Sequence, residues 1–210
     1  MSTNERILSP FTLPNGTELK NRWLMAPMTT CTGYYDGTVT SELVEYYRAR
    51  SGSIGTIIVE CCFVDDLGLA FPGAIGIDND EKIAGLAKIA EAIKSKGSKA
   101  LLQIYHGGRM VDPKLIGGRT PVGPSAVAAP RDGAATPVAL TAEEVEGMIG
   151  KFGEAVRRAI QAGFDGVEIH GANTYLIQQF YSPNSNQRDD EWGGSRDNRA
   201  KFPLAVLDIT

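Results

Sequence analysis

The run Gly166-Val167-Glu168-Ile169-His170-Gly171-Ala172-Asn173-Thr174-Tyr175 sets an apolar strand pattern directly against a His, an Asn and a Tyr. In parallel α/β architectures the carboxyl ends of strands face the ligand, so polar groups just past Ile169 are candidates for reaction chemistry. His170 and Asn173 lie three apart, a spacing that puts both on one face once a helix starts. Two neutral donors converging on one point suit an oxygen that gains negative charge during reaction. The competing reading has His170 bonded to a backbone carbonyl and Asn173 capping the next helix. Tyr175 is a candidate general acid, because a phenol keeps its proton at neutral pH yet can surrender it to a carbanion or enolate. Its alternative is core packing.

Two further segments carry polar or polarisable groups at strand ends. Gln103 sits among Leu101, Leu102 and Ile104 and needs a partner with both donor and acceptor capacity, which a planar heterocycle or a buried backbone group would meet. In Ala26-Pro27-Met28-Thr29, Pro27 fixes the chain, Met28 offers a polarisable surface for a flat ring, and Thr29 adds a hydroxyl.

Four apolar runs must position these groups: Trp23-Leu24-Met25-Ala26, Ile54-Gly55-Thr56-Ile57-Ile58-Val59, Ala100-Leu101-Leu102-Gln103-Ile104 and Phe164-Asp165-Gly166-Val167-Glu168-Ile169. Helical patterns follow over residues 41–50, 81–96 and 143–162, with a last helix beginning near Asp197. Asp78 with Glu81 marks the start of the second helix, and Thr141 with Glu144 has capping-box spacing for the third. Strands apolar on both faces and joined by helices call for a parallel sheet with right-handed crossovers. Long Gly- and Pro-rich loops over residues 107–137 and 182–195, both on the carboxyl side, favour a β/α barrel over an open doubly wound sheet. The sequence contains neither GxGxxG nor a Walker loop, and its glycine pairs read first as turns.

The 210 residues carry a net charge of −4 with scattered Lys and Arg, so nucleic acid is not an expected partner. No run approaches the roughly 18 apolar residues of a membrane span, and the first residues lack a signal-peptide core, so a cytoplasmic location is the expectation. Cys31, Cys61 and Cys62 fit neither a disulfide framework nor a CxxC motif, and two histidines without metal-ligand spacing leave structural zinc without ligands.

Five segments together resemble the Old Yellow Enzyme family of FMN-dependent NAD(P)H oxidoreductases. They are Asn21-Arg22-Trp23-Leu24-Met25-Ala26-Pro27-Met28-Thr29, Val59-Glu60-Cys61, Gln103-Ile104-Tyr105-His106-Gly107-Gly108-Arg109, the Gly166 to Tyr175 run, and residues 186–195 continued by Asn198-Arg199-Ala200-Lys201-Phe202. The resemblance implies an α/β fold of the (β/α)8 TIM barrel family, FMN as cofactor and NADH or NADPH as reductant. It implies that Ala26, Pro27, Met28 and Thr29 lie along the flavin, that Thr29 and Cys61 approach its carbonyl edge, and that Gln103 bonds its pyrimidine part. His170 and Asn173 match the pair that holds the acceptor's carbonyl oxygen, with His170 also near the flavin, and Tyr175 matches the proton donor. The implied reaction passes hydride through the flavin to an activated alkene, a quinone or a related small-molecule acceptor. Departures from the family pattern are Thr174 in place of the usual Gly, Cys61 in place of Ala or Gly, Trp192 in place of Tyr, and Arg196-Asp197 in place of Ile-Glu.

Only about the first four βα units of such a barrel are expected here, so residues 1–210 read as a single domain, the amino-terminal half of a flavin-binding barrel that stops within its fourth helix. Open edges at the first and fourth strands then make self-association, or a missing carboxyl-terminal half, expected partners. The alternative to an active oxidoreductase is an inactive or partner-completed half barrel. A phosphate-sugar aldolase or isomerase on the same fold lacks an obvious Lys or carboxylate base at a strand end.

Overall fold

The structure is a computed structural model that describes residues 3–210. Its centre is a four-stranded parallel sheet: β1 (Leu24–Met25), β2 (Thr56–Phe63), β3 (Lys99–Tyr105) and β4 (Gly166–Ile169), hydrogen-bonded in that order. After a short amino-terminal helix, Thr3–Leu8, the helices that follow the first strand are α1 (Ser41–Arg50), α2 (Ile83–Lys94), α3 (Ala142–Gln161), α4 (Leu176–Tyr181) and α5 (Arg196–Ile209). Sequential strands that neighbour in parallel, each followed by a helical crossover, are four consecutive units of a β/α barrel. The outer edges of β1 and β4 pair with no other strand among the described residues.

Most expected elements form where the patterns place them, and the departures have local causes. β2 runs past Val59 because its one acidic residue, Glu60, finds internal partners, and the β2–β3 register shifts between Val59 and Cys62. Such a bulge re-aims the side chains beside it, here Glu60 and Cys61. The capping box of α3 is present, with the Glu144 amide donating to Thr141 Oγ1 at 3.2 Å and the Thr141 amide to Glu144 Oε2 at 2.8 Å. Asp78 does not cap the second helix. It pairs with the Lys82 ammonium, while Asn79 Oδ1 accepts from the Glu81 amide at 3.1 Å and caps a 3-10 turn, Asp80–Lys82, that precedes α2. The excursion over residues 107–137 is also more ordered than a loop. It holds 3-10 turns at Gly108–Met110 and Pro113–Ile116, and its strand Val122–Gly123 pairs with Val138–Ala139.

The core lies between the sheet and the helices. On α3 the buried positions Val145, Met148, Ile149, Phe152, Ala155 and Ala159 recur at helical spacing and face inward. Phe180 of α4 stacks on Phe202 of α5 with centroids 4.1 Å apart, which docks the short helix that the sequence pattern did not mark. At the amino ends of the strands, a hairpin pairs Phe11–Thr12 with Glu18–Leu19, and Lys20 beyond it donates to the Gly52 carbonyl at 2.6 Å and to the Lys96 carbonyl and Ser98 Oγ, each at 3.1 Å.

Candidate active site

β4 ends at Ile169, and the His170 amide donates to the Ile104 carbonyl at 3.0 Å, so His170 still follows the sheet. The chain then reverses. Asn173 (φ 54°) and Thr174 (φ 62°) adopt left-handed backbone before α4 starts at Leu176. His170 and Asn173 are therefore related by a turn and not by one helical face. Asn173 does not cap α4; the cap position is Tyr175, without a side-chain bond. Nor does the His170 ring bond a backbone carbonyl among the described residues. Its Nδ1 accepts from the Ala172 amide at 3.3 Å, which assigns the ring proton to Nε2 in the neutral form. Burial lowers the His170 pKa, with Glu168 opposing, so the ring is neutral at pH 7 and Nε2 is a donor.

Tyr175 is buried within a group of rings. Its centroid lies 4.9 Å from His170 at 85°, 5.3 Å from Tyr105 and 6.3 Å from Phe71 at 88°. Burial pushes its phenol up to about 12, and Cys61 adds to the shift. Cys61 belongs to the same cluster with Phe63 and Tyr105. Its Sγ lies 3.1 Å from Thr29 Oγ1, and burial raises the thiol to about 11 against the lowering effect of that bond, so it stays protonated. Thr29, Cys61, His170 and Tyr175, which are far apart in sequence, thus gather at the carboxyl ends of the four strands.

Gln103 on β3 pairs in register with Glu168 on β4, and its Nε2 donates to Glu168 Oε1 at 2.7 Å. Its partner is thus a side chain, neither a backbone group nor a group with its own donor. The second N–H and the carbonyl oxygen make no other bond among the described residues, so the carboxamide retains one donor and one acceptor. Ala26 and Met28 are exposed, Met28 at 64%, and Pro27 is half-buried, so the segment just past β1 is an uncovered apolar ledge. An apolar ledge continued by a Thr–Cys pair suits a flat ring, and the spare amide donor and acceptor of Gln103 suit a heterocycle with alternating N–H and C=O groups, which is how the flavin pyrimidine presents itself.

Glu60 is a part of the site that the sequence showed without its role. It is fully buried, and Oε1 accepts from the Thr30 amide at 3.1 Å and Thr30 Oγ1 at 3.2 Å, while Oε2 accepts from the Tyr47 hydroxyl at 3.2 Å. The Glu60 amide in turn donates to Tyr47 Oη at 2.9 Å. Burial raises its pKa, and the bonds from Thr30 and Tyr47 oppose the rise. This carboxyl holds Thr30, and with it the Ala26 to Thr29 ledge, against β2. Among the described residues no cluster of His, Cys, Asp and Glu could hold a metal ion, the three cysteines are free thiols, and no helix is long and apolar enough to cross a membrane.

Known proteins share this arrangement of sequence and fold. NADH:fumarate oxidoreductase of Klebsiella pneumoniae (strain 342) is 88% identical over 210 residues, which is all of this chain and 23% of that protein. NADH:acrylate oxidoreductase of Vibrio harveyi is 59% identical over 202 residues, 96% of this chain and 20% of that protein. The chain therefore spans less than a quarter of these curated relatives. Among solved structures, morphinone reductase superposes with a TM-score of 0.89 at 34% identity, covering 97% of this chain and 57% of that one. The sequence model of one flavoenzyme family matches residues 6–209, nearly the whole span over which the strands, the ledge and the ring cluster are built, and the chain belongs to that family, the NADH:flavin oxidoreductase / NADH oxidase family.

Proposed function

We propose that this chain supplies the flavin and acceptor-binding half of an FMN-dependent oxidoreductase that takes reducing equivalents from NADH or NADPH and delivers them to an activated alkene, a quinone or a related small molecule. The observation that carries the reading is the convergence of a neutral His170, a buried Tyr175 and the Thr29–Cys61 pair beside an exposed apolar ledge. Residues 1–210 are, in this reading, one domain forming the amino-terminal four units of the barrel. The remaining units, from a longer chain or a second copy, would cover the outer edges of β1 and β4.

Ala26, Pro27 and Met28 would bear on one face of the FMN ring, Thr29 and Cys61 on its carbonyl edge, and Gln103 on its pyrimidine nitrogen and oxygen. When bound there, reduced FMN supplies the hydride that the reaction consumes. His170 Nε2–H and the Asn173 carboxamide would donate to the carbonyl or carboxylate oxygen of the acceptor, drawing density from its β-carbon. Tyr175 holds a proton that burial keeps in place through neutral pH and would release it to the α-carbon.

One observation favours a second reading of the acceptor. The relatives named for fumarate and acrylate are more than four times the length matched here, so the same site would receive electrons from the nicotinamide and pass them to a group outside these residues. The first experiment is an FMN titration of the purified chain followed by gel filtration. Co-elution of flavin absorbance supports the site, and complete separation assigns FMN binding to the completed barrel alone. The deciding experiment places these 210 residues in the full-length Klebsiella relative and follows reoxidation of its reduced flavin by acrylate, fumarate and a soluble quinone. Absence of NADH- and NADPH-dependent flavin reduction would refute the proposal, and reoxidation by fumarate or acrylate that is unaffected by Tyr175→Phe would favour the second reading.

A further inference from the structure

Gln179 lies on α4, four residues past Tyr175, and is 1% exposed. Each polar atom of its carboxamide is committed to backbone. Nε2 donates to the Thr174 carbonyl at 2.6 Å and to the Gly107 carbonyl at 3.1 Å, and Oε1 accepts from the Arg109 amide at 3.1 Å. One side chain thus ties the loop after β3 to the turn that carries Asn173 and Tyr175. The neighbouring Gln178 completes the hold, since its Oε1 accepts from the Thr174 amide. Thr174 is therefore held at both its N–H and its C=O while sitting at φ 62°, a conformation that β-branched residues rarely adopt. Residues in such conformations persist where the surroundings over-determine them. The loop side is shaped to match. Gly108 has φ +57°, and a Cβ there would fall inside contact distance of the Gln179 carboxamide.

We propose that Gln179, with Gln178, is the positioning residue of this site: by gripping Thr174 it fixes the left-handed Asn173–Thr174 pair and so the aim of the Tyr175 hydroxyl. The chemistry of the grip selects a carboxamide. Two carbonyls need two donors from one nitrogen and one amide needs an acceptor, and only Asn and Gln offer both at one planar end. Glu in that place would set a carboxylate against two carbonyl oxygens. Met would fill the volume but remove the partners of the Arg109 amide and the Thr174 carbonyl, leaving the Gly107 carbonyl only the Met110 amide at 3.1 Å.

The role in aiming a proton donor rests on the proposed function, whereas the grip itself does not. The test therefore has two arms, both in the full-length Klebsiella relative carrying these 210 residues. In the first, amide hydrogen exchange over residues 171–178 is compared between wild type, Gln179→Met and Gln179→Glu. The Leu176 amide, which donates to the His106 carbonyl at 2.9 Å, reports whether the turn stays docked. Faster exchange confined to 171–178 and the 107–109 loop is expected, and unchanged exchange overturns the grip. In the second, reoxidation of the reduced flavin by acrylate is measured in wild-type and Tyr175→Phe backgrounds. A misplacement near 1 Å is worth about 10²-fold in rate. The Gln179 variants should lose about that factor, with flavin reduction by NADH unchanged, and the loss should shrink to near unity when Tyr175 is already Phe. Equal losses in both backgrounds would show that Gln179 does not act through Tyr175. If the buried variants fail to fold, Gln178→Leu, at a half-buried position, removes the Thr174 amide's acceptor alone and should show a smaller loss with the same dependence on Tyr175; a loss independent of Tyr175 counts against the proposal. Absence of alkene reduction in wild type sinks the assigned proton transfer and leaves the exchange arm to decide the grip.

Discussion

Replacing Thr174 with Gly should make the protein more stable, although it deletes a side chain. Thr174 has φ 62°, and an L-residue in left-handed backbone costs about 1–2 kcal/mol. Gly removes that cost but adds unfolded-state freedom, roughly 0.5–1 kcal/mol against an ordinary residue. The Thr174 side chain is exposed and its hydroxyl bonds only the adjacent Asn173 carbonyl, so little packing is lost. The balance is a gain of about 0.5–1 kcal/mol. With a urea slope near 2–3 kcal/mol/M, the unfolding midpoint should rise by roughly 0.2–0.5 M. Asn173→Gly is the control. Asn tolerates the left-handed region through local hydrogen bonding, so that variant should gain less than Thr174→Gly or nothing. A midpoint that falls in Thr174→Gly, at unchanged slope, would refute the reasoning and show that the Thr174 side chain contributes more than its backbone conformation costs.

Three other outcomes follow from the site. Glu60 has its pKa raised by burial, so its contribution to stability is complete below the ordinary carboxylate pKa and is lost as pH rises through the raised value; subtracting the urea midpoints of Glu60→Gln from those of wild type across pH 4 to 8 should show a declining difference, and parallel profiles would contradict the assignment. Tyr175, with its phenol at about 12, should support acceptor protonation with a flat rate from pH 7 to about 10; Tyr175→Phe should lower that rate by about 10²–10⁴ while leaving flavin reduction by NADH intact, as read by stopped-flow absorbance. Gly108→Ala forces a Cβ against Gln179 at positive φ and should destabilise by about 1–3 kcal/mol in chemical denaturation.

The strands were legible because an apolar run bounded by Gly and helical periodicity is a local signal, and Ser41–Arg50 forms a helix over the span its pattern marks. What stayed hidden depends on partners far along the chain. Glu60 stood out in an apolar run, but its reason is Tyr47, 13 residues before it, and Thr30, 30 residues before it. Gln103 showed a need for a partner, and Glu168 answers it from 65 residues away, through a register that only the folded sheet defines. Asn173 was legible in identity and not in geometry: spacing suggested a shared helical face, whereas two successive left-handed residues delay the helix to Leu176. Gln179 carried no signal beyond its distance from Tyr175, because the carbonyls it satisfies belong to backbone 72 and 5 residues away.

Lys20 gives the fold a division of labour. Its ammonium spans to Gly52, Lys96 and Ser98, residues that lie just before β2 and β3 at the rim opposite His170 and Tyr175. That rim is tied by one cation, two backbone carbonyls and a serine hydroxyl, a bond set indifferent to what reacts at the other end. The rim that bears His170 and Tyr175 carries the long excursion over 107–137 and the left-handed turn at Thr174. The contacts that hold the strands together at one rim are thus separate from the loops and turn that bear His170 and Tyr175 at the other, so a change at either end can be made without touching the bonds of the opposite one.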